Sequence, residues 1–307
     1  MSLLTIFTAP KPFTNPHINI IQRNAIQSWL HLGPDVQVIL IGDEDGLAET
    51  AQEFGVLYLP DVEMNAQGTP LVSSIFSLAR EASNSQLLAY VNADILIKPD
   101  FVNTAREVSA QQNKFLLVGQ RWDLDVREEL DFSEGWVDRL TARTEAEGRL
   151  HPRGGSDYFI YPRSCFEEIP AFAIGRAGWD NWMFYKARYE NWPLIDSTKS
   201  IQIIHQDHDY SHLPKGQPHY RLPETLENIR LAGGKRTIFN LLDADHELEN
   251  GQICPVSQNS EKFWREVEIF PLVKLHSYGL GQVFFAIFHP MKAYREFRSW
   301  LSRKKSN

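Results

Sequence analysis

The stretch "LLAYVNADILIKPDF", Leu87 to Phe101, runs apolar into Asn92-Ala93-Asp94 and then turns apolar again. An amide and a carboxylate two residues apart at the end of a buried strand have two uses. They cap the turn that follows, as Asn and Asp often do, or they offer oxygen to a hard divalent cation. Such an ion takes one or two carboxylates together with the phosphate oxygens of a substrate. In that second use Asp94 holds the ion and the ion holds a diphosphate.

Three later stretches carry similar double readings. In "RGGSDYF", Arg153 to Phe159, Gly154 and Gly155 permit a close approach that a side chain would block, and Ser156 and Asp157 offer polar groups. The same four residues also make a simple turn before a strand. In "GWDNWM", Gly178 to Met183, Asp180 is either a helix N-cap or a carboxylate placed to take a proton. In "IIHQDHDYSH", His205 closes a strand with His208 and His212 as rivals, and each is either a ligand or an ordinary surface or hydrogen-bonded histidine.

The elements that position these residues alternate between two periods. "LLTIFTA" (Leu3 to Ala9) and "VQVILIG" (Val36 to Gly42) read as strands, and between them Ile18, Ile21, Ala25, Trp29 and Leu32 recur at helical spacing. "VLYL" (Val56 to Leu59), "LLAYV" and "FLLVG" (Phe115 to Gly119) continue the series, with helices expected before and after "LLAYV". Strands alternating with helices imply crossovers and a largely parallel sheet buried on both faces. Residues 120–153 are charged and aromatic, and read as a helix around Trp136 to Ala146 set among loops. Strands resume at "YFIY" (Tyr158 to Tyr161) and "IQIIH" (Ile201 to His205). In an open parallel sheet, ligands bind beyond the carboxyl ends of the strands, where Asn92 and Asp94 are expected.

Composition narrows the class. The chain has 307 residues and a formal net charge of -8, against a general nucleic-acid binder. Cys165 and Cys254 are its only cysteines, which neither frame a disulfide scaffold nor supply a zinc site and fit a reducing cytoplasm. No leader is expected from "MSLLTIFTAPKPF", and no run approaches the length of a bilayer span. From His289 onward six Lys/Arg stand against Glu296, so the tail carries about +5 and the remainder about -13.

The four motifs, in this order on an α/β pattern, resemble the nucleotide-sugar glycosyltransferases of the GT-A fold, over roughly Leu3 to Leu213. The resemblance implies a Rossmann-like, mostly parallel central sheet flanked by helices, with a catalytic domain over residues 1–250 and a mostly helical extension over 251–307. It implies metal-assisted transfer of a sugar from a nucleoside diphosphate sugar, UDP-linked by preference, to a hydroxyl on a glycan or lipid-linked acceptor, with inversion. Asp94 becomes the metal carboxylate and His205 the late metal ligand. An imidazole suits Mn²⁺ better than Mg²⁺. Asn92 stands where the family commonly has an acid, and brings no negative charge.

Asp180 becomes the general base, with Trp179 and Trp182 as walls for sugar faces. The loop Gly154, Gly155, Ser156 and Asp157 borders acceptor and donor sugar. Thr8 and Ala9 edge the nucleotide, and of the acids Asp43, Glu44 and Asp45 the resemblance favours Asp43 to accept from its base, although Asp43 equally caps the next helix. The stretch Gly68 to Ser74 closes over ribose or phosphate from a helix start, and Asn92 and Ala93 join Asp94 on the nucleotide-sugar side. Arg121 and Arg153 either neutralise phosphate or pair with nearby acids.

Phosphate-loop, dinucleotide-fingerprint, nucleophile-elbow and zinc-protease motifs are absent from the sequence. Two rivals remain. A nucleotidyltransferase forming a nucleotide sugar uses a related sheet, but "TAPKPFTNP" lacks the glycine-rich loop such enzymes carry. A non-catalytic carbohydrate-binding scaffold is the reading motivated by Asn92. The tail, residues 283–305, reads either as a helix packed on the domain or as a basic amphipathic helix on a membrane surface. The expected location is cytoplasmic, with the inner face of a membrane as the site of any peripheral contact.

Overall fold

A computed structural model describes residues 2–208 and 222–304; His212 lies outside the described residues. The chain opens with β1 (Leu4–Thr8), α1 (Pro16–Leu30), β2 (Val36–Ile41), α2 (Leu47–Phe54), β3 (Leu57–Leu59), α3 (Val72–Ala82) and β4 (Leu87–Val91). It continues through β5 (Ile95–Leu96), α4 (Asp100–Gln111), β6 (Leu116–Val118), β7 (Arg121–Leu124), α5 (Trp136–Glu147), β8 (Arg149–Leu150), β9 (Tyr158–Pro162) and α6 (Trp179–Tyr189). After β10 (Leu194–Asp196) and β11 (Ile203–Gln206) come α7 (Pro223–Leu231), β12 (His246–Glu249), β13 (Gln252–Pro255), α8 (Ser260–Val273), α9 (Tyr278–Phe288) and α10 (Pro290–Lys304).

Nine strands form the central sheet in the order β13-β12-β10-β6-β9-β4-β1-β2-β3. Neighbours are parallel except where β9 lies between β4 and β6 and where β13 pairs with β12. Every residue of β1 and β4 is buried, as continuous apolar runs in a sheet covered on both faces must be. Large hydrophobic clusters cover the two faces. One holds Phe76 of α3 and Trp179 and Phe184 of α6; the other holds Trp29 of α1 and Phe101 of α4. This is the mostly parallel, helix-flanked α/β architecture that was expected.

Two segments differ from the sequence reading. Residues 120–153 contain not only α5 but the strands β7 and β8, which join β5 and β11 in a second sheet of order β5-β11-β7-β8. "RWDL" alternates poorly as a strand, and its pairing with β11 overrides its local preference. The expected boundary between residues 250 and 251 falls inside the β12–β13 hairpin, where Asn250 and Gly251 both take positive φ. β13 therefore completes the central sheet, and α8 packs against α6.

The small sheet positions the site. In register, His205 of β11 lies opposite Ile95 of β5 on one side and Asp123 of β7 on the other. Asp94, immediately before β5, is thereby brought beside a residue 111 positions along the chain.

α1 supports this junction with buried polar groups. Pro16 opens the helix and the Asn15 side chain accepts from the backbone N–H groups of His17 and Ile18. Along the buried side, Trp29 Nε1 donates to the Ile95 carbonyl at 2.9 Å, and Ser28 Oγ accepts from Ile97 N at 3.1 Å. Asn24 Nδ2 donates to Gln206 Oε1 at 3.0 Å, while Gln206 Nε2 donates to the carbonyls of Ile21 and Asp94. Gln22 brackets Lys11, accepting from its N–H at 2.7 Å and donating to its carbonyl at 2.9 Å.

Candidate active site

A cleft of about 460 Å³ opens beyond the carboxyl ends of β1 and β4, lined by Ala9, Lys11, Asn92, Asp94, Arg121, Asp157, Trp179, Asp180, His205 and His208 among others. Here the strand order reverses, β2 and β3 extending to one side of β1 and β4 to the other. Such a switch point leaves a crevice for a ligand.

At its floor Asp94 Oδ2 lies 3.0 Å from His208 Nε2 and 3.9 Å from His205 Nε2. The other oxygen, Oδ1, is buried without a hydrogen-bond partner. Lys11 Nζ approaches the same imidazole of His208 at 3.4 Å. Burial pushes the Asp94 carboxyl up, but the His208 hydrogen bond and the charges of His205 and Lys11 outweigh it and hold the group well below the carboxylate range.

His205 is 7% exposed. Its Nδ1 lies 3.2 Å from Asp123 Oδ1 and 3.5 Å from Asp207 Oδ1, close enough for attraction but off hydrogen-bond angles. Burial lowers the imidazole pKa, and the acids Asp123 and Asp94 more than reverse this, so that it stands above its ordinary value. Asp94, His205 and His208 together present ligand atoms within 4.8 Å of one another. A carboxylate oxygen with two imidazole nitrogens suits Mn²⁺ better than Mg²⁺, and carboxylates behind a ligating imidazole are its usual support. The residues present fit a divalent cation.

A second network runs from this floor to the cleft wall. Arg121 donates to both oxygens of Asp157, at 2.9 and 3.0 Å, and through Nε to Asp123 at 2.8 Å. Asn92 Nδ2 donates to Asp157 Oδ1 at 2.8 Å, and Asn92 N donates to the Asp157 carbonyl. Arg121 thus pairs with acids, and it also lines the cleft.

Asp180 stands at the first turn of α6, after Gly178 at a positive φ of 112°. Burial raises its carboxyl pKa, and Asp157 adds to the effect against the hydrogen bonds from Asn181 N and Gly178 N. A β-carbon on Gly155 would lie 2.9 Å from Asp180 Oδ2, so the glycine loop reaches within contact of this carboxylate. Trp179 is nearly buried, edge-on to Tyr90 at 5.1 Å between ring centroids, and contributes an apolar wall.

Other expected residues lie elsewhere. Trp182 does not line the cleft; it packs into the core against Phe172 and Phe166, because it is on the inner side of α6. Asp43 is exposed and accepts from Tyr58 Oη at 3.2 Å, while Glu44 lines the cleft. Ser74 Oγ accepts from Glu63 N at 2.9 Å and borders a different depression. Thr8 is fully buried beneath Ala9, its hydroxyl without a partner. Gly154 and Arg153 are exposed, and Arg153 borders a second cavity, of about 710 Å³. Ser156 faces the cleft but donates to the carbonyls of Gly119 and Tyr158. Ala93 lines the cleft between Asn92 and Asp94.

Sequence reasoning did not single out Asp123, Asp207 or Gln22; it named Glu44 only beside the favoured Asp43, and it used Lys11 of "TAPKPFTNP" only to weigh a rival. A local signal existed for one group: Gln22, Asn24 and Ser28 are polar residues flanking the apolar stripe of α1.

No family model matches the chain, and no curated protein matches it. Solved structures similar to it include glucosyl-3-phosphoglycerate synthase from Mycobacterium tuberculosis in complex with Mg²⁺ and UDP, at 13% identity over 76% of this chain and 80% of that one, with a TM-score of 0.48. A further structure of the synthase matches at 13% identity over 83% and 88%, TM-score 0.49. Its complex with Mn²⁺, UDP-glucose and phosphoglyceric acid matches at 14% identity over 76% and 81%, TM-score 0.47. At such identities function must be read from the cleft itself.

Proposed function

We propose that this chain is a glycosyltransferase that moves a sugar from a nucleoside diphosphate sugar to an acceptor hydroxyl, with inversion. One observation carries the reading. At the switch point of the sheet, a buried carboxylate oxygen of Asp94 without a partner shares a cleft with two imidazoles and with Asp180, a carboxylate of raised basicity.

Asp94, His208 and His205 would hold a divalent cation, Mn²⁺ for preference, which when bound offsets charge on the departing diphosphate. Lys11 adds a fixed positive charge beside them. Asp180 accepts the proton of the acceptor hydroxyl as that oxygen forms its bond to the anomeric carbon. The opposite bond, from that carbon to the diphosphate oxygen, breaks with its electron pair leaving on the nucleotide. Burial serves this step, because a carboxylate with raised pKa is a stronger base. Trp179 excludes water from one side. Glu44, which lines the cleft, would accept from a base N–H in place of Asp43.

The test is thermal unfolding with UDP, GDP, CDP and dTDP, each with Mn²⁺, Mg²⁺ or chelator. Ligand that binds only the native state stabilises it by about 2.7 kcal/mol at a hundredfold excess over Kd. We expect a shift for one nucleotide that requires metal and is lost in Asp94→Ala, together with loss of sugar transfer. A metal-independent shift, or wild-type transfer by Asp94→Ala, would remove Asp94 from the mechanism. Pyrophosphate release from a nucleoside triphosphate and sugar phosphate would establish the nucleotidyltransferase instead.

A further inference from the structure

Eleven of the seventeen large apolar side chains left exposed among the described residues fall between Phe263 and Phe297. α9 has no charged residue, and its one buried residue is Gly281. There a β-carbon would meet Leu272 of α8 at 2.5 Å, so α9 is pressed onto the body along that edge. Leu280, Val283 and Ile287 are left facing outward, and Met291 and Tyr294 continue the three-and-four spacing into α10, at 45–66% exposure. A water-facing helix should have the reverse pattern.

Charge accompanies the apolar face. Lys292, Arg295 and Arg298 are exposed on α10, while Glu296 is turned inward to Arg236 and Lys235. Arg236 also lies over the Phe285 ring, fixing both helices to the body. The tail carries about +5 on a chain whose remainder is about -13. A second copy, docked face to face through a two-fold axis, would set one basic face against another. An anionic bilayer attracts this face and repels the rest of the molecule.

We propose that the outer face of α9 and α10 docks on an anionic lipid surface, Leu280, Val283, Ile287 and Met291 entering the headgroup boundary and Lys292, Arg295 and Arg298 pairing with lipid charge. The same helices share a cavity of about 710 Å³ with Arg153, which precedes the glycine loop against Asp180. Docking therefore brings the lipid surface to that side of the molecule.

The experiment is co-sedimentation of the full chain with phosphatidylcholine vesicles, with and without about 30 mol % phosphatidylglycerol, at about 0.1 M and about 1 M salt. We expect retention on the anionic vesicles at low salt, little on neutral ones, and loss at high salt. Ile287→Asp with Met291→Asp should weaken partition at least tenfold. Lys292→Glu with Arg295→Glu and Arg298→Glu should weaken it on the order of a hundredfold. Both sets should unfold at the wild-type temperature, since every site is exposed. Absence of wild-type retention on anionic vesicles overturns the proposal, as does equal retention of wild type and both variants. Dimerisation without lipid that Ile287→Asp with Met291→Asp abolishes, with vesicles retaining nothing, assigns the face to a second copy instead.

Discussion

Asn92 is an amide where an acid was the expectation, and its neighbour supplies a reason. Its Nδ2 donates to Asp157 at 2.8 Å; an aspartate there would set two carboxylates against each other in a partly buried wall. The carboxylate on this wall belongs to Asp157, and Arg121 pairs with it. Asp180 leads to a prediction with a definite sign. Its folded pKa is raised, chiefly by burial, so the fold favours the protonated form and loses stability as pH rises from the ordinary carboxylate pKa through the folded one. Asp180→Asn should therefore abolish transfer yet raise the unfolding midpoint at pH 7 relative to pH 4, each compared with wild type. The acid limb of the wild-type rate should lie above the ordinary carboxylate pKa of about 3.9, and a limb at or below that value would sink the assignment of Asp180 as base.

At the scale of elements, the small sheet and α1 matter more than their lengths suggest. β5 and β11 are two and four residues long, yet their register sets His205 beside Asp94, and one step of slip would turn His205 to the other face. The polar side of α1 spends its hydrogen bonds on Lys11, Gln206 and the β5 backbone. The chain alternation revealed α1 but not this role, because amphipathic spacing reports which face is buried and not what it meets. On the far side, Gly281→Ala should displace α9 from Leu272. The gain in helix propensity of about 1 kcal/mol is smaller than the overpacking cost, about 1–3 kcal/mol. We expect faster proteolysis and hydrogen exchange in residues 278–299 with an unchanged nucleotide shift; unchanged exchange there would show that Leu272 yields freely.

For the molecule as a whole, one sheet runs from β3 to β13, and β9 joins its two halves through antiparallel pairs to β4 and β6. Asp94 follows β4 of one half and Asp180 lies on α6, which leads from the joining strand β9 to β10 of the other, so the cleft has no independent wall. Calorimetry should show a single transition that nucleotide with Mn²⁺ moves entire. Two transitions of which ligand moves one would mean that the halves unfold separately. Charge is divided at this scale too, an acidic body against a basic tail, and that division would orient the molecule on a charged surface without any single contact.

Several features followed from the sequence by itself. Alternating periods required an α/β chain with a parallel sheet, since buried strands and crossover helices leave that pattern locally. Asp94 at a strand end and Asp180 at a helix start were legible for the same reason: each depends on its immediate neighbours. Partners across the fold were not. Asn92 meets Asp157 65 residues away, and His208 joins Asp94 from 114 away. Trp182 faces the core while Trp179, three residues earlier, faces the cleft, and Glu44 rather than Asp43 turns inward. Which way a side chain points at the end of a strand or in the first turn of a helix is decided by twist and packing against distant elements, and only the tertiary structure contains those.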